Sequence, residues 1–306
     1  ARFTDENKPE LLSKIEGSEE YQTHMRKLAS QSEERKYKFG EVYVHDSRGE
    51  LVPAPNEYRG YEKKDEEIIS QALRDLSNEL SHKLGSSPQI TTVNLPEGLD
   101  YIARDHLYET LRDSDSIPLV TKSSQMIGFL DATRSAYDLD RADGPGPKVP
   151  ENPFHDDDFF VMYVDYNAYS LDIWVATISE YTASLLERGP FSLRRPDLAV
   201  SNRDDDKSKG KQIHQAIQQF IAEFSSTEEA TDLQVIIVSG EASAESMESL
   251  GQSIRQIVPG RWQGIIRNEL DPTFVTAIGA AHRARDFVRR PDIWKVESHD
   301  HTHDEL

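Results

Sequence analysis

The chain has 306 residues, room for one large domain or two ordinary ones with a real core. Its 35 basic and 55 acidic residues give a formal net charge of −20, which sets it against phosphate backbones and anionic lipid surfaces and argues against nucleic acid as a partner. There is no cysteine, so disulfides, thiolate metal sites and cysteine nucleophiles are excluded; no apolar run approaches the roughly 20 residues of a membrane helix, so no membrane insertion is expected.

Residues 7–36 carry spaced apolar positions (Leu11, Leu12, Ile15, Tyr21, Met25, Leu28) among Glu, Lys and Ser, which predicts two charged, partly buried helices joined near Gly17. "GEVYVHDSRGELVPA", from Gly40, alternates about the turn-rich Asp46-Ser47-Arg48-Gly49 and reads as a hairpin. From about Lys64 to Leu84 a helix puts Ile68, Ile69, Ala72, Leu73, Leu76, Leu80 and Leu84 on one face, and Gly85 supplies its stop. A strand "QITTVNL", a helix from about Leu99 to Arg112, a short strand "IPLVT" and a helix from about Ser123 to Tyr137 follow.

"RADGPGPKVPENPFHDDD", Arg141 to Asp158, breaks all periodicity and places a lobe boundary. Its "HDDD" offers hard oxygen ligands but no regular loop spacing, and reads as linker. The second half opens with the hairpin "FFVMYVDYNAYSLDIWVATIS", Phe159 to Ser179, and continues through "RGPFSLRRPDLAVSNRDDDKSKGK", whose latter part reads as a mobile loop. A helix from about Gln212 to Phe224, the strand "LQVIIVSG", a helix from about Ala244 to Ile257, a strand near "GIIRN" and a helix from about Thr273 to Arg289 complete it. Alternation of strands and helices predicts an α/β fold, and the hairpin makes the second sheet mixed.

The two ends add further expectations. "ARFTDENKPELL" has no apolar signal core, so the reading expects any targeting peptide to be already removed or never present. His303, Asp304, Glu305 and Leu306 match an endoplasmic-reticulum (ER) retention signal, which implies the ER lumen and a retrieval receptor as partner. His299, His301 and His303 alternate and could share one face toward Zn²⁺ or Ni²⁺, although a solvated tail is the favoured reading.

Four stretches, in order, carry a resemblance. They are "ITTVNLPEGLDYIARDHLYETL", "PLVTKSSQMIGFLDATRSAYDLD", "MYVDYNAYSLDIWVATI", and "VIIVSGEASAESMESLGQSI" with "DPTFVTAIGAAHRAR". Together they resemble the nucleotide-binding domain of Hsp70 chaperones, within the actin-like ATPase superfamily. They resemble, respectively, the end of the lobe I core, the first crossing helix, the second phosphate hairpin, and the adenosine segment with the second crossing helix. Gly279, Ala280 and Ala281 are small where the resemblance requires two crossing helices to approach. Coverage runs from about Gly40 to Val288, since the first hairpin resembles one in the small subdomain of lobe I.

The departures fall on the chemistry. Where the family hairpin reads Asp-Leu-Gly-Gly-Gly-Thr-Phe-Asp, this chain has Asp165-Tyr166-Asn167-Ala168-Tyr169-Ser170-Leu171-Asp172: both aspartates stay and all three glycines are replaced. Glycine is needed where backbone N–H groups cradle a phosphate, and the Tyr169 side chain would fill the phosphate space. The family's Glu just before the crossing helix is matched by Lys122. In the adenosine segment Ser239 replaces the first glycine, Gly240 is retained, and Ser243 stands where an arginine would stack on adenine. The first phosphate hairpin would lie upstream of everything matched.

The resemblance therefore implies a two-lobed actin-like ATPase (ribonuclease H-like) fold with lobe I truncated and lobe II reduced. Its expected parts are a helical extension (1–36), a partial lobe I with its crossing helix (37–140), a linker (141–158), lobe II (159–290) and an acidic His-rich tail (291–306). Phosphoryl transfer depends on positioning and charge stabilisation, which such a site lacks, so the expectation is a non-catalytic, cofactor-free module that binds a protein partner. The alternative is a divergent chaperone-type ATPase using ATP or ADP with Mg²⁺, completed by upstream sequence or a second chain.

Overall fold

The computed structural model describes residues 2–3, 9–27, 43–45, 51–53, 63–87, 90–95, 107–108, 111, 125–139, 159–168, 170–178, 183–186, 190–200 and 206–289. The expected linker 141–158, the strand "IPLVT" and the tail 291–306 lie outside them, and of the helix expected over 99–112 only residues 107, 108 and 111 are described, all helical. The chain forms two compact units, 1–129 with 280–306, and 130–279.

In the first unit β1 (Arg2–Phe3) pairs antiparallel with β2 (Pro9–Glu10). The two helices expected over 7–36 are corrected here: residues 11–18 are neither helix nor strand, and only 19–27 are helical among the residues described. The reason is local competition for backbone groups. Lys83 donates to Leu12 O at 3.0 Å and to Ser13 Oγ at 3.2 Å, and Ser13 Oγ donates to Glu79 at 3.3 Å, so this segment is bonded to another helix instead of to itself. The helix then starts where Ser18 Oγ accepts the Tyr21 N–H at 3.2 Å.

The hairpin from Gly40 is present as β3 (Tyr43–His45) and β4 (Leu51–Pro53), antiparallel with Val44 opposite Val52. α1 spans Lys63–Leu84 and buries Ile69. Gly85 ends it with φ +67° and its N–H on Ser81 O at 2.9 Å, the left-handed stop that glycine adopts without a Cβ penalty.

A second correction concerns the helix expected from Ser123. Met126–Gly128 instead forms β6, parallel to β5 (Val93–Leu95), and α2 begins only at Phe129 and ends at Ala136. Asn94 Nδ2 on Ile127 O (3.1 Å) and Gln125 Nε2 on Thr91 O (3.0 Å) fasten the pair. The strand read as "QITTVNL" is likewise shorter, only its last three residues pairing. α2 closes in a Schellman turn: Leu139 N–H reaches Arg134 O (3.0 Å), Asp138 N–H reaches Ser135 O (3.3 Å), and Asp138 takes φ +52°.

The second unit is built on one mixed sheet in the order β10 (Ser192–Arg195), β8 (Leu171–Ile178), β7 (Phe159–Tyr166), β11 (Leu233–Gly240), β12 (Ile266–Arg267), with β9 (Ala183–Leu185) also on β8. β7, β11 and β12 are parallel, while β8 runs antiparallel to β7 and to its other partners. α3 (Asp206–Phe224) and α4 (Ala244–Ile257) pack a core with Met162, Val164, Ile173, Val175, Ile236 and Val238. Phe224 sits at its centre, 6.1 Å from the Phe191 ring and 5.7 Å from Trp262.

The opposite sheet face, with Phe159, Val161, Tyr163, Val235 and Ile237, is out of solvent as well. This two-sided burial is why "FFVMYV" and "LQVIIV" read as unbroken apolar runs without alternation. α3 corrects a further expectation, since it begins at Asp206 inside the stretch read as a mobile loop. Lys209, buried in that added turn, donates to Ala199 O and ties it to the chain before it.

A 3₁₀ turn over Pro272–Phe274, capped by Asp271 on the Thr273 N–H (3.0 Å), leads into α5 (Val275–Arg289). The chain passes from the first unit to the second within α2 and back within α5. A Cβ on Gly279 would lie 1.7 Å from Ala132 O, so these helices meet backbone to backbone. Gly279→Ala should therefore cost at least about 3 kcal/mol of unfolding free energy, because a carbonyl cannot move aside as a side chain can. Gly264, with nothing within 4 Å of an added Cβ, should tolerate alanine with a change within about 0.5 kcal/mol. Urea unfolding of the two variants beside the natural chain checks both.

Candidate functional site

Strand register sets one residue from each of four strands in a line: Arg194 of β10 opposite Asp172 of β8, Asp172 opposite Asp165 of β7, and Asp165 beside Ser239 of β11. Register partners project to the same sheet face, so the four side chains form a polar row across a sheet that is otherwise apolar. The row is buried: Asp165 is 8 % exposed, Asp172 2 % and Ser239 1 %.

Each carboxylate has its donors. Asp165 accepts Ser239 Oγ–H at 2.7 Å on one oxygen and the Asn167 amide at 2.7 Å on the other. Asp172 accepts Ser170 Oγ–H at 2.6 Å, and its other oxygen lies 3.5 Å from Arg194 Nε. Burial nevertheless dominates. It raises the Asp165 carboxyl above the ordinary carboxylate range despite the bonds from Asn167 and Ser239, with the Glu241 charge adding to the rise. Burial likewise raises Asp172 to about 6, against the opposing pull of Arg194 and Ser170.

The turn between β7 and β8 is held by Asn167. Its N–H donates to Ser170 O at 3.0 Å, its side-chain oxygen accepts the Ser170 N–H at 3.0 Å, its amide nitrogen serves Asp165, and its carbonyl accepts the Val200 N–H at 3.1 Å. The turn N–H groups of Asn167 and Ser170, which a phosphate-cradling loop would aim at its ligand, are thus engaged inside the hairpin.

Gly240 follows Ser239 at the end of β11 with φ +141°. A Cβ there would lie 2.0 Å from Tyr166 O, the oxygen that also accepts the Glu241 N–H at 3.0 Å. Its glycine identity thus has a packing reason that requires no ligand. Ser243 is the N-cap of α4, its Oγ accepting the Ser246 N–H at 3.2 Å.

The structure brings together Asp165, Asn167, Asp172, Ser239 and Gly240, with Ala168 half-buried in the same turn. Gly279 belongs to the helix contact with Ala132, and Ser243 to the head of α4. Tyr169, Lys122, His299, His301, His303, Asp304, Glu305 and Leu306 lie outside the described residues. The entrance of α2 is not at Lys122: the residue before the helix is Gly128, six positions later.

Arg194 is the member that sequence reading missed, hidden in "FSLRRP". Its signal was indirect, since a hairpin carrying two inward aspartates calls for a cation nearby.

With one guanidinium for two carboxylates, the fully ionised row keeps one net negative charge, a poor setting for a phosphate and a good one for a proton. Comparison with protein-family models and with curated proteins finds no match to this chain.

Asn167→Ala should lower stability by about 1–3 kcal/mol, because it strips bonds from buried Asp165 and from the Ser170 N–H. Asn167→Asp should be worse at neutral pH, since it sets a further carboxylate beside Asp165. That deficit should shrink as pH falls toward 5 and the excess negative charge is protonated. Urea midpoints at pH 5 and pH 7.5 check both.

Proposed function

We propose that the chain is a non-catalytic, Hsp70-like module of two-lobed actin-like fold, with lobe I truncated and lobe II reduced, that acts by binding a protein partner in the ER lumen. The observation that carries this reading is the turn after β7. Asn167 supplies, from within the hairpin, the hydrogen bonds that a bound phosphate would otherwise make with the Ser170 and Asn167 region. With its Asn167 and Ser170 N–H groups engaged the turn offers less to a nucleotide, and the net negative row beside it opposes phosphate charge.

Further support comes from the order of the four resembling stretches and from the division of the chain into two units inside α2 and α5, where crossing helices would fall. Among the described residues no helix is long and apolar enough to cross a membrane, in keeping with work at a protein surface. The ER assignment rests on the His303-Asp304-Glu305-Leu306 end, and the retrieval receptor is its expected reader.

Calorimetric titration of the purified chain with ATP or ADP in the presence of Mg²⁺ should give no saturable heat. Saturable, Mg²⁺-dependent binding near one site per chain would overturn the reading and favour a divergent ATPase. Separately, removing residues 303–306 from a chain expressed with a signal peptide should move it from the ER to the medium. Retention of the truncated chain would remove the luminal assignment.

A further inference from the structure

The polar row is more than a bonded cluster, because its charges do not balance. We propose that Asp165 and Asp172 titrate as one pair that holds a single proton at mildly acidic pH and gives it up as pH rises toward neutrality, leaving two buried charges and a less stable second unit. The proposal concerns the buried pair itself and stands whether or not a nucleotide binds.

The geometry supplies the argument. The two aspartates are direct cross-strand neighbours on one sheet face, both nearly without solvent, and among the described residues one guanidinium, Arg194, reaches them. Two carboxylates confined together cannot both ionise at their ordinary pH, and the proton taken up belongs to the pair. The donors divide the labour unequally. Asp165 receives two full hydrogen bonds, from Ser239 and Asn167, which favour its charged form. Asp172 receives Ser170 and also feels the Asn167 amide, while the Arg194 contact at 3.5 Å is long for an ion pair. Burial pushes both carboxyls up, so the proton is a property of the pair.

Among the described residues, the charged groups acting on the pair are Arg194 from β10 and Asp165 itself on Asp172, and Glu241, just past β11, on Asp165. In this unit α2 contributes Asp131 and Arg134, which pair with each other at 3.3 Å, and the start of α5, residues 275–279, carries no charge.

The direction of the pH effect follows from linkage. A carboxyl whose folded-state pKa is raised stabilises the fold most below its unfolded value near 4. That contribution is lost as pH climbs through the folded value near 6. This is opposite in sign to the usual surface carboxylate.

The test is carboxyl-carbon NMR of the chain labelled at aspartate, titrated from pH 3.5 to 8. Two resonances, assigned by Asp165→Asn and Asp172→Asn, should titrate as a coupled pair with a midpoint clearly above the ordinary carboxylate range. In Asp165→Asn the Asp172 midpoint should drop, because Arg194 then balances the one remaining charge. The urea midpoint of Asp172→Asn relative to the natural chain should move in the variant's favour as pH rises from 4.5 to 7. Two ordinary, independent titrations overturn the proposal on the natural chain alone. So does an Asp172 midpoint unmoved in Asp165→Asn, or a midpoint difference between Asp172→Asn and the natural chain that does not change with pH.

Discussion

The parallel seam between β7 and β11 is the constraint on which the second unit depends. Its register sets Val164 beside Val238, Asp165 beside Ser239 and Tyr166 beside Gly240, and it closes only because Gly240 brings no Cβ against the Tyr166 carbonyl. From that contact the rest follows in order. The Ser239 hydroxyl arrives at Asp165, the Glu241 N–H finishes the seam on Tyr166 O, and the chain is turned so that Ser243 can cap α4. The same carbonyl thus ends a strand pair and aims a helix.

A second balance runs between the two ends of the sheet. Most of its length is buried on both faces by aliphatic and aromatic side chains around Phe224, which is the favourable side of the account. The polar row stands at the other end, where carboxylates taken out of water are unfavourable unless every oxygen finds a donor. Asn167, Ser170 and Ser239 donate to three of the four carboxylate oxygens and Arg194 lies 3.5 Å from the fourth, and these groups come from two strands and a turn rather than from one contiguous segment.

Much of this was legible in the sequence, and the failures have physical causes. The buried strands "FFVMYV" and "LQVIIV" and the helices after Lys63 and Ala244 declared themselves because apolar runs and 3.6-residue periodicity reflect burial directly. "QMIGF" misled because three residues cannot show a period, and their strand state is decided by pairing with Val93–Leu95, thirty residues away. Residues 11–18 kept a helical pattern, but Leu12 O and Ser13 Oγ bond to α1. Of the site, Asp165, Asn167, Asp172, Ser239 and Gly240 could be named from the hairpin and the strand that follows. Arg194 could not, since only register reveals which of two adjacent arginines faces the row.

One feature of the row bears on how such a chain can change over time. Each of its groups satisfies a neighbour, in two cases across strands, so a substitution at one place leaves an orphaned partner at another. Asn167→Gly would strand Asp165 and the Ser170 N–H without supplying anything in their place. Relatives of this chain should therefore alter Asn167, Asp172, Arg194 and Ser239 as a set or hold them all. Drift at these positions is confined to correlated steps.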